Sequence, residues 1–476
     1  MAVEAKPIIL KNFYMGQSPL AHLDSLTDKG NEGHYSDAKN IDIISNPGVL
    51  TQGPGLAKLT NGDQNGVVDE LIRFIMQTAV ADGQTYGIGS TKLFRITPTA
   101  VSNTTDWPHT ITGATRGESV CYLKGALYYF WQTNIGKATN LSGTPSFDDD
   151  WGSTKDAALQ DAPHPVAVKE DIMLFGNGRY VGRYFANSDD LDVDKLDFGD
   201  GNEVADVVFH ANQWYIAVNA GVSGSNRSQG HIYLYDGAAV SSLLDDEANV
   251  GLQRIGFLFP LNGVIYVAYQ DLSNGYKIGY LAGRRIKPLA YFTGDLPTFR
   301  QKTLYKETIL FLSGQKIYSC GAVVDDLPIQ LSYLATPSYS TVGALSAPFG
   351  TPMVASTDGT NYKLEKFSGY TTSAYWKSVV IPLIYGRYIG VIDEIVVLTK
   401  TLGDNARCDL QLEINQASET YPSTAKQITG SKRRHVFPIN KGQVEDFRIK
   451  LDWSNGSTSN DCPIREIHIK YHFSEK

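Results

Sequence analysis

A few groups of residues in this chain have the types and spacing that metal or acid–base chemistry would use. The acidic run SDDLDVDKLDFGDGNE from Ser188 sets Asp190, Asp192 and Asp194 at alternate positions, and carboxylates so placed could gather on a calcium ion if the chain loops there. The run lacks the sixth-position glycine and the distal Glu of an EF-hand loop. The segment from Asp189 to Asp200 is therefore expected to be a solvated inter-blade loop, with calcium left open, and Asp148, Asp149 and Asp150 before Trp151 read the same way. His468 and His472 are four apart, which on a strand separates them by about 13 Å on one face, too far to share a metal. Lys432, Arg433 and Arg434, with His435, form the densest basic patch. It is too small for a nucleic-acid footprint, and a loop at a subunit contact or a domain rim is the expected place. Cys121, Cys320, Cys408 and Cys462 stand apart from one another and read as buried small hydrophobes. No phosphate-cradling glycine loop, H-E-x-x-H or G-x-S-x-G occurs. The expectation is a chain that is not an enzyme, with no cofactor and no metal.

The elements that would position these residues are strands. Gly 45 and Tyr 27 are high and Met 5 is low, a balance that favours strands and turns. Hairpins recur through the middle of the chain: YLKGALYYF at Tyr122, VKEDIMLFG at Val168, FHANQWYIAV at Phe209, FPLNGVIYVAY at Phe259 and LYKETILFL at Leu304. Weaker ones surround Asp82-Gly83 and Asp358-Gly359. With Gly83, Gly125, Glu170, Asn212, Gly263, Glu307 and Gly359 as turn markers, the intervals are 42, 45, 42, 51, 44 and 52 residues. That period is blade length, and third strands such as KLFRI, RYVGRYF and HIYLYDG follow most hairpins. From about Tyr370 longer strands take over. Phe447, Ile449, Leu451 and Trp453 alternate with charged residues, as do Ile467, Ile469, Tyr471 and Phe473 with polar ones, the signature of sheets with one buried face. The fold expected is all-β: a seven-bladed-type β-propeller over 66–369, then a C-terminal β-sandwich over 370–476, behind an extended N-terminal segment over 1–65.

That segment contains NIDIISNPGVLTQGPGLAK from Asn40. Proline pushes its predecessor out of the helical region and glycine accepts positive φ, so the stretch reads as a strap of short extended pieces and turns. Its residues Ile41, Ile43, Pro47, Gly48, Val49, Leu50, Pro54, Gly55 and Leu56 are the candidate assembly strap. The strap is expected to close the propeller by adding a strand to the last blade or to cross to a neighbouring subunit, with an ordinary strand inside its own subunit as the plain alternative.

Partial resemblances to sialidases are present. FRIT at Phe94–Thr97, followed by Pro98, resembles their F/Y-R-I-P segment, and STDGTNY from Ser356 resembles their S-x-D-x-G-x-x-W turn, without the residue between Asp and Gly and with Tyr for Trp. The resemblance would give Arg95 a substrate carboxylate to clamp. Strap, propeller and sandwich in this order, with the two Pro-Gly turns and Asp461-Cys462-Pro463-Ile464 before the last strand, resemble the tail tube nozzle and tail accessory proteins of short-tailed bacteriophages. That resemblance implies a structural virion protein assembled in the host cytoplasm as a homo-oligomeric ring, six copies in the family. Its implied partners are the adaptor and portal side and the tail fibres, with genomic DNA passing through a central channel without specific binding.

A net charge of -8 argues against wrapping nucleic acid and permits it to slide past. The most apolar run, Ile255 to Tyr269, is broken by Pro260, Asn262 and Gly263 and falls short of the roughly 20 residues of a membrane span. No basic, apolar leader opens the sequence, so export by a signal peptide is not expected. The alternative to a nozzle is a receptor- or glycan-binding propeller in the virion, stacking sugars on Trp107 with His109, Trp131 or Trp151.

Overall fold

Tight hairpins set the rhythm of the central chain. In the computed structural model, which describes residues 3–4, 6–13, 16–17, 34–46, 48–80, 83–156, 158–221, 229–244, 251–272, 275–321, 323–324, 327–328 and 331–475, seven four-stranded sheets follow one another. Pro47 of the strap and Asp82 of the first hairpin lie outside the described residues. The first strands of the sheets are Phe74–Ile75, Gly117–Leu123, Val166–Lys169, Asn202–His210, Leu252–Leu261, Lys302–Tyr305 and Thr341–Ser346. For most neighbouring sheets the first strands lie side by side, and the seventh returns to the first. This is a seven-bladed β-propeller with the first strands innermost.

Two-residue turns connect the first and second strands in several blades, and both residues carry positive φ: Lys124 (48°) and Gly125 (86°), Ala211 (48°) and Asn212 (62°), Asn262 (50°) and Gly263 (78°), Lys306 (47°) and Glu307 (60°). Such turns match the right-handed strand twist. Adjacent sheets bury apolar faces against each other. Tyr86 and Ile88 of the first sheet, with Trp107 from the connection before its last strand, pack with Leu127, Tyr129 and Trp131 of the second, and comparable clusters follow around the ring.

Ring closure comes from the strap. Strand Pro54–Asp63 is the outer strand of the seventh sheet, beside Tyr362–Tyr370. The same strand bonds to the first sheet's side: Thr60 N–H donates to Thr99 O at 3.0 Å and Val101 N–H to Thr60 O at 2.9 Å. Leu59, 1% exposed, packs in one cluster with Ile72, Phe94 and Val101 on one side and Met353, Ala355 and Leu364 on the other.

The chain divides into two compact units, residues 57–316 with 337–366, and residues 1–56 with 317–336 and 367–476. The second carries the sandwich. One sheet joins Tyr388–Thr399, Ile464–Glu475 and Arg434–Val444, and the other joins Tyr375–Ser378, Asp446–Asp452, Arg407–Ile414 and Glu419–Thr429. Phe447, Ile449, Leu451, Trp453, Ile467 and Ile469 are fully buried, as their alternation requires, whereas Tyr471 and Phe473, expected on the same face, are only partly buried. The N-terminal residues are strands of these sheets as well: Val3–Glu4 and Ile8–Leu10 pair with the last strand, and His34–Lys39 pairs with Tyr375–Ser378.

The acidic run differs from the expected loop. Asp190–Asp197 is the outermost strand of the third sheet, because Leu191 and Val193 alternate with the carboxylates and bury inward while the aspartates remain on the wet face.

The positive-φ pair Lys306–Glu307 pays for its turn with strained non-glycine backbone. Replacing it with Asn-Gly is expected to raise stability by about 1 kcal/mol, measured by urea unfolding; an unchanged or lower midpoint would contradict the turn geometry.

Candidate functional site

The strap residues are used inside the chain. Ile41–Asp42 pairs with Thr51–Gln52, Leu50 exchanges backbone hydrogen bonds of 2.9 and 2.8 Å with Ile464, and Ile41, Ile43 and Leu50 are fully buried. Gly48, at φ +81°, and Val49, whose N–H donates to Asn46 O at 3.0 Å, form the turn between these pieces. Pro54, Gly55 and Leu56 begin the closing strand. A Cβ on Gly55 would meet Ser368 O at 2.8 Å, so the close approach of backbones there excludes a side chain.

The other candidates do not converge. Lys432, Arg433 and Arg434 are exposed, with Arg433 Nε donating to Thr401 Oγ1 at 2.9 Å. His468 meets Glu466 at 2.7 Å and His472 meets Asp393 at 2.9 Å. Among the described residues no group of three or more His, Cys, Asp or Glu side chains could hold a metal. Arg95, the carboxylate clamp of the sialidase resemblance, is engaged within its own blade: its Nε donates to Ser102 Oγ at 3.0 Å and its guanidinium lies over Trp107, 5.6 Å from the ring centre. Trp107, Trp131 and Trp151 are 0%, 8% and 5% exposed, so the aromatic residues offered for sugar stacking are blade core. His109 stacks on Phe147 at 3.7 Å. Asp149, expected in a solvated loop, is a junction: it accepts from Tyr129 Oη at 2.6 Å and from Thr112 N–H at 2.8 Å, and bonds His109 Nε2 at 2.9 Å. Burial opposes its ionisation, but these hydrogen bonds hold its carboxyl below the usual range.

A different set of charged residues meets where the inner strands begin. Arg73 precedes the first sheet's inner strand, Arg116 and Glu118 open the second's, and Arg300 precedes the sixth's. Glu118, its side chain 1% exposed, pairs with both Arg116 and Arg300. Arg300 Nε also donates to Glu118 O at 3.3 Å, Arg73 Nε donates to Gly117 O at 3.0 Å, and Arg116 reaches Asp161 at 2.6 Å. Burial, followed by repulsion from Arg73 and Arg116, pushes the Arg300 guanidinium down to about 9, and burial with repulsion from Arg116 lowers Arg73. Nearby, Asp206 accepts from Lys302, Leu258 N–H at 2.7 Å and Val207 N–H at 2.9 Å, while Lys302 Nζ donates to Leu258 O at 2.7 Å. Burial pushes Asp206 up and Lys302 down; the two backbone donors and the ammonium favour the charged pair. Among the described residues the arrangement contains hydrogen-bonded charges and no nucleophile beside a base.

His164, fully buried, points Nδ1 at Gly176 O (2.8 Å) and Nε2 at Gln132 O (2.6 Å). Burial lowers its pKa and outweighs the two carbonyls. A depressed folded-state value gives stability that is complete above the unfolded value of about 6.5 and is lost as pH falls through the folded value. The thermal midpoint is therefore expected to fall between pH 7.5 and pH 5 more steeply in the native chain than in His164→Gln; equal slopes would contradict this. Glu118→Gln, which leaves Arg116 and Arg300 without their shared carboxylate, is expected to cost about 3–5 kcal/mol in urea unfolding, and a loss below about 1 kcal/mol would show that solvent already screens the cluster.

No family model and no curated protein matches the chain. Among solved structures it is similar to the extracellular domain of BT4673 from B. thetaiotaomicron, at 13% identity and TM-score 0.48, covering 74% of this chain and 43% of that one. It is also similar to the Pan2 WD40 domain of Neurospora crassa, at 10% identity and TM-score 0.45, covering 67% and 96%. A third likeness is to the exo-beta-1,3-galactanase of Phanerochaete chrysosporium, at 12% identity and TM-score 0.30, covering 88% and 100%. The chain thus spans less than half the length of the bacterial extracellular domain.

Proposed function

We propose that the chain is a structural component of a bacteriophage tail, a ring-forming nozzle protein around the DNA exit channel. The observation that carries this reading is the path of the N-terminal segment. Strands at Val3–Glu4, Ile8–Leu10, Gly16–Gln17 and His34–Lys39 belong to the sandwich sheets, and Pro54–Asp63 then closes the propeller. A segment that completes the sheets of each unit in turn suits a part whose task is contact and not turnover. The strap–propeller–sandwich order is also the order of the nozzle resemblance. In this reading the subunits meet through sandwich surfaces, the exposed Lys432–Arg434 loop among them, and DNA passes without specific binding.

A second reading, a ligand-binding propeller, is favoured by a cavity of about 270 Å³ among the inner strands, lined by Glu203, Arg254 and Arg300. Its sugar-stacking form loses Trp107, Trp131 and Trp151 to the core.

The ring is tested by light scattering and negative-stain imaging of the full chain, alone and with the virion proteins encoded beside it. The expected result is a closed ring of about six copies, weakened when Lys432, Arg433 and Arg434 are all changed to Glu. A chain that remains a monomer with every such protein would overturn the nozzle reading.

A further inference from the structure

The cavity of about 270 Å³ lies beside the Glu118 cluster and shares Arg300 with it, and its wall also holds Pro163, Glu203, Asn219, Arg254 and Thr298. Two features make the wall fixed. Asn219 clamps the neighbouring inner strand, with Nδ2 donating to Ile255 O at 2.9 Å and Oδ1 accepting from Ile255 N–H at 2.7 Å. Gly256 lets that strand approach the chain before the sixth sheet, since a Cβ there would meet Pro297 O at 2.1 Å. A rigid wall lowers the cost of ordering a ligand.

The charge inside the wall is incompletely matched. Arg300 shares the buried Glu118 with Arg116, and Arg73 stands close enough to depress it. Arg254 is exposed and makes no side-chain hydrogen bond or ion pair among the described residues. Glu203 is the one carboxylate of the wall among the described residues, and it forms no ion pair of 4.0 Å or less with either arginine. Guanidinium groups offer paired N–H donors that match the oxygens of a carboxylate or phosphate, and an anion between them relieves the repulsion among like charges.

We infer that this cavity binds a small dianion carrying carboxylate or phosphate oxygens, with Arg254 and Arg300 as its charged donors; the Thr298 hydroxyl, which donates to Gln301 Oε1 at a long 3.4 Å, can turn to the ligand as a further one. Glu203 on the opposite charge sign limits the site to ligands that also present a donor or stand clear of that wall. This gives the ligand-binding reading its chemistry and is independent of ring assembly.

The test is calorimetry and thermal unfolding of the full chain with succinate and with inorganic phosphate, each against sodium chloride at equal ionic strength. Saturable binding of one equivalent per chain is expected for at least one anion, weakened about tenfold or more by Arg254→Gln, as loss of a charge-assisted pair implies, and partly restored by Arg254→Lys. Which anion binds separates the carboxylate source from the phosphate source. Arg254 has no side-chain partner among the described residues, so circular dichroism of Arg254→Gln should match the native chain. If both anions act only through ionic strength, or if Arg254→Gln binds as tightly as the native chain, the inference fails, and ring formation stands or falls separately by light scattering.

Discussion

A ring of sheets holds only if its first and last members are joined, and here one strand does the joining. Residues 57–63 complete the seventh sheet beside 362–366 and bond to Thr99 and Val101 of the first blade's outer connection. Leu59 is buried among side chains of both blades. Without that strand the seventh sheet would present an unpaired edge and the first blade would lose its neighbour's apolar cover. The constraint explains the strap's composition. A segment that must run flat along a sheet edge cannot be helical, and Pro54 and Gly55 at its start deny it a helix while letting the backbones approach.

Closure brings the inner strands together, and their charged residues have to be compensated there. Glu118 answers Arg116 and Arg300 across the second and sixth sheets, and Asp206 links inner strands of the fourth, fifth and sixth through Val207, Leu258 and Lys302. Such buried pairs add little over apolar packing, but breaking one leaves an unpaired charge and is costly. The cavity at Arg254 and Arg300 is a by-product of the same geometry, a place where arginines from separate blades line one space.

Much of the architecture was legible from the chain because it is built from local patterns. Turn pairs such as Asn262-Gly263 and the alternation at Phe447–Trp453 report a hairpin and a half-buried strand without reference to anything distant. The acidic run at 190–197 has the charge of a loop but the period of a strand: Leu191 and Val193 alternate with its carboxylates. Trp107, Trp131 and Trp151 sit near polar residues in sequence, yet their burial depends on blade-to-blade packing that no local window contains. The arginine cluster was invisible for the same reason. Arg73, Arg116 and Arg300 belong to three blades and meet only when the ring is closed.

Hydrogen exchange on the full chain tests the closure most directly. If residues 57–63 are the closing strand, their amides should be protected to the same degree as those of 353–357 and 362–366 and should exchange with them as one cooperative group. Early exchange at 57–63, with 353–357 still protected, would contradict the account: the ring would then be held shut by something other than this strand.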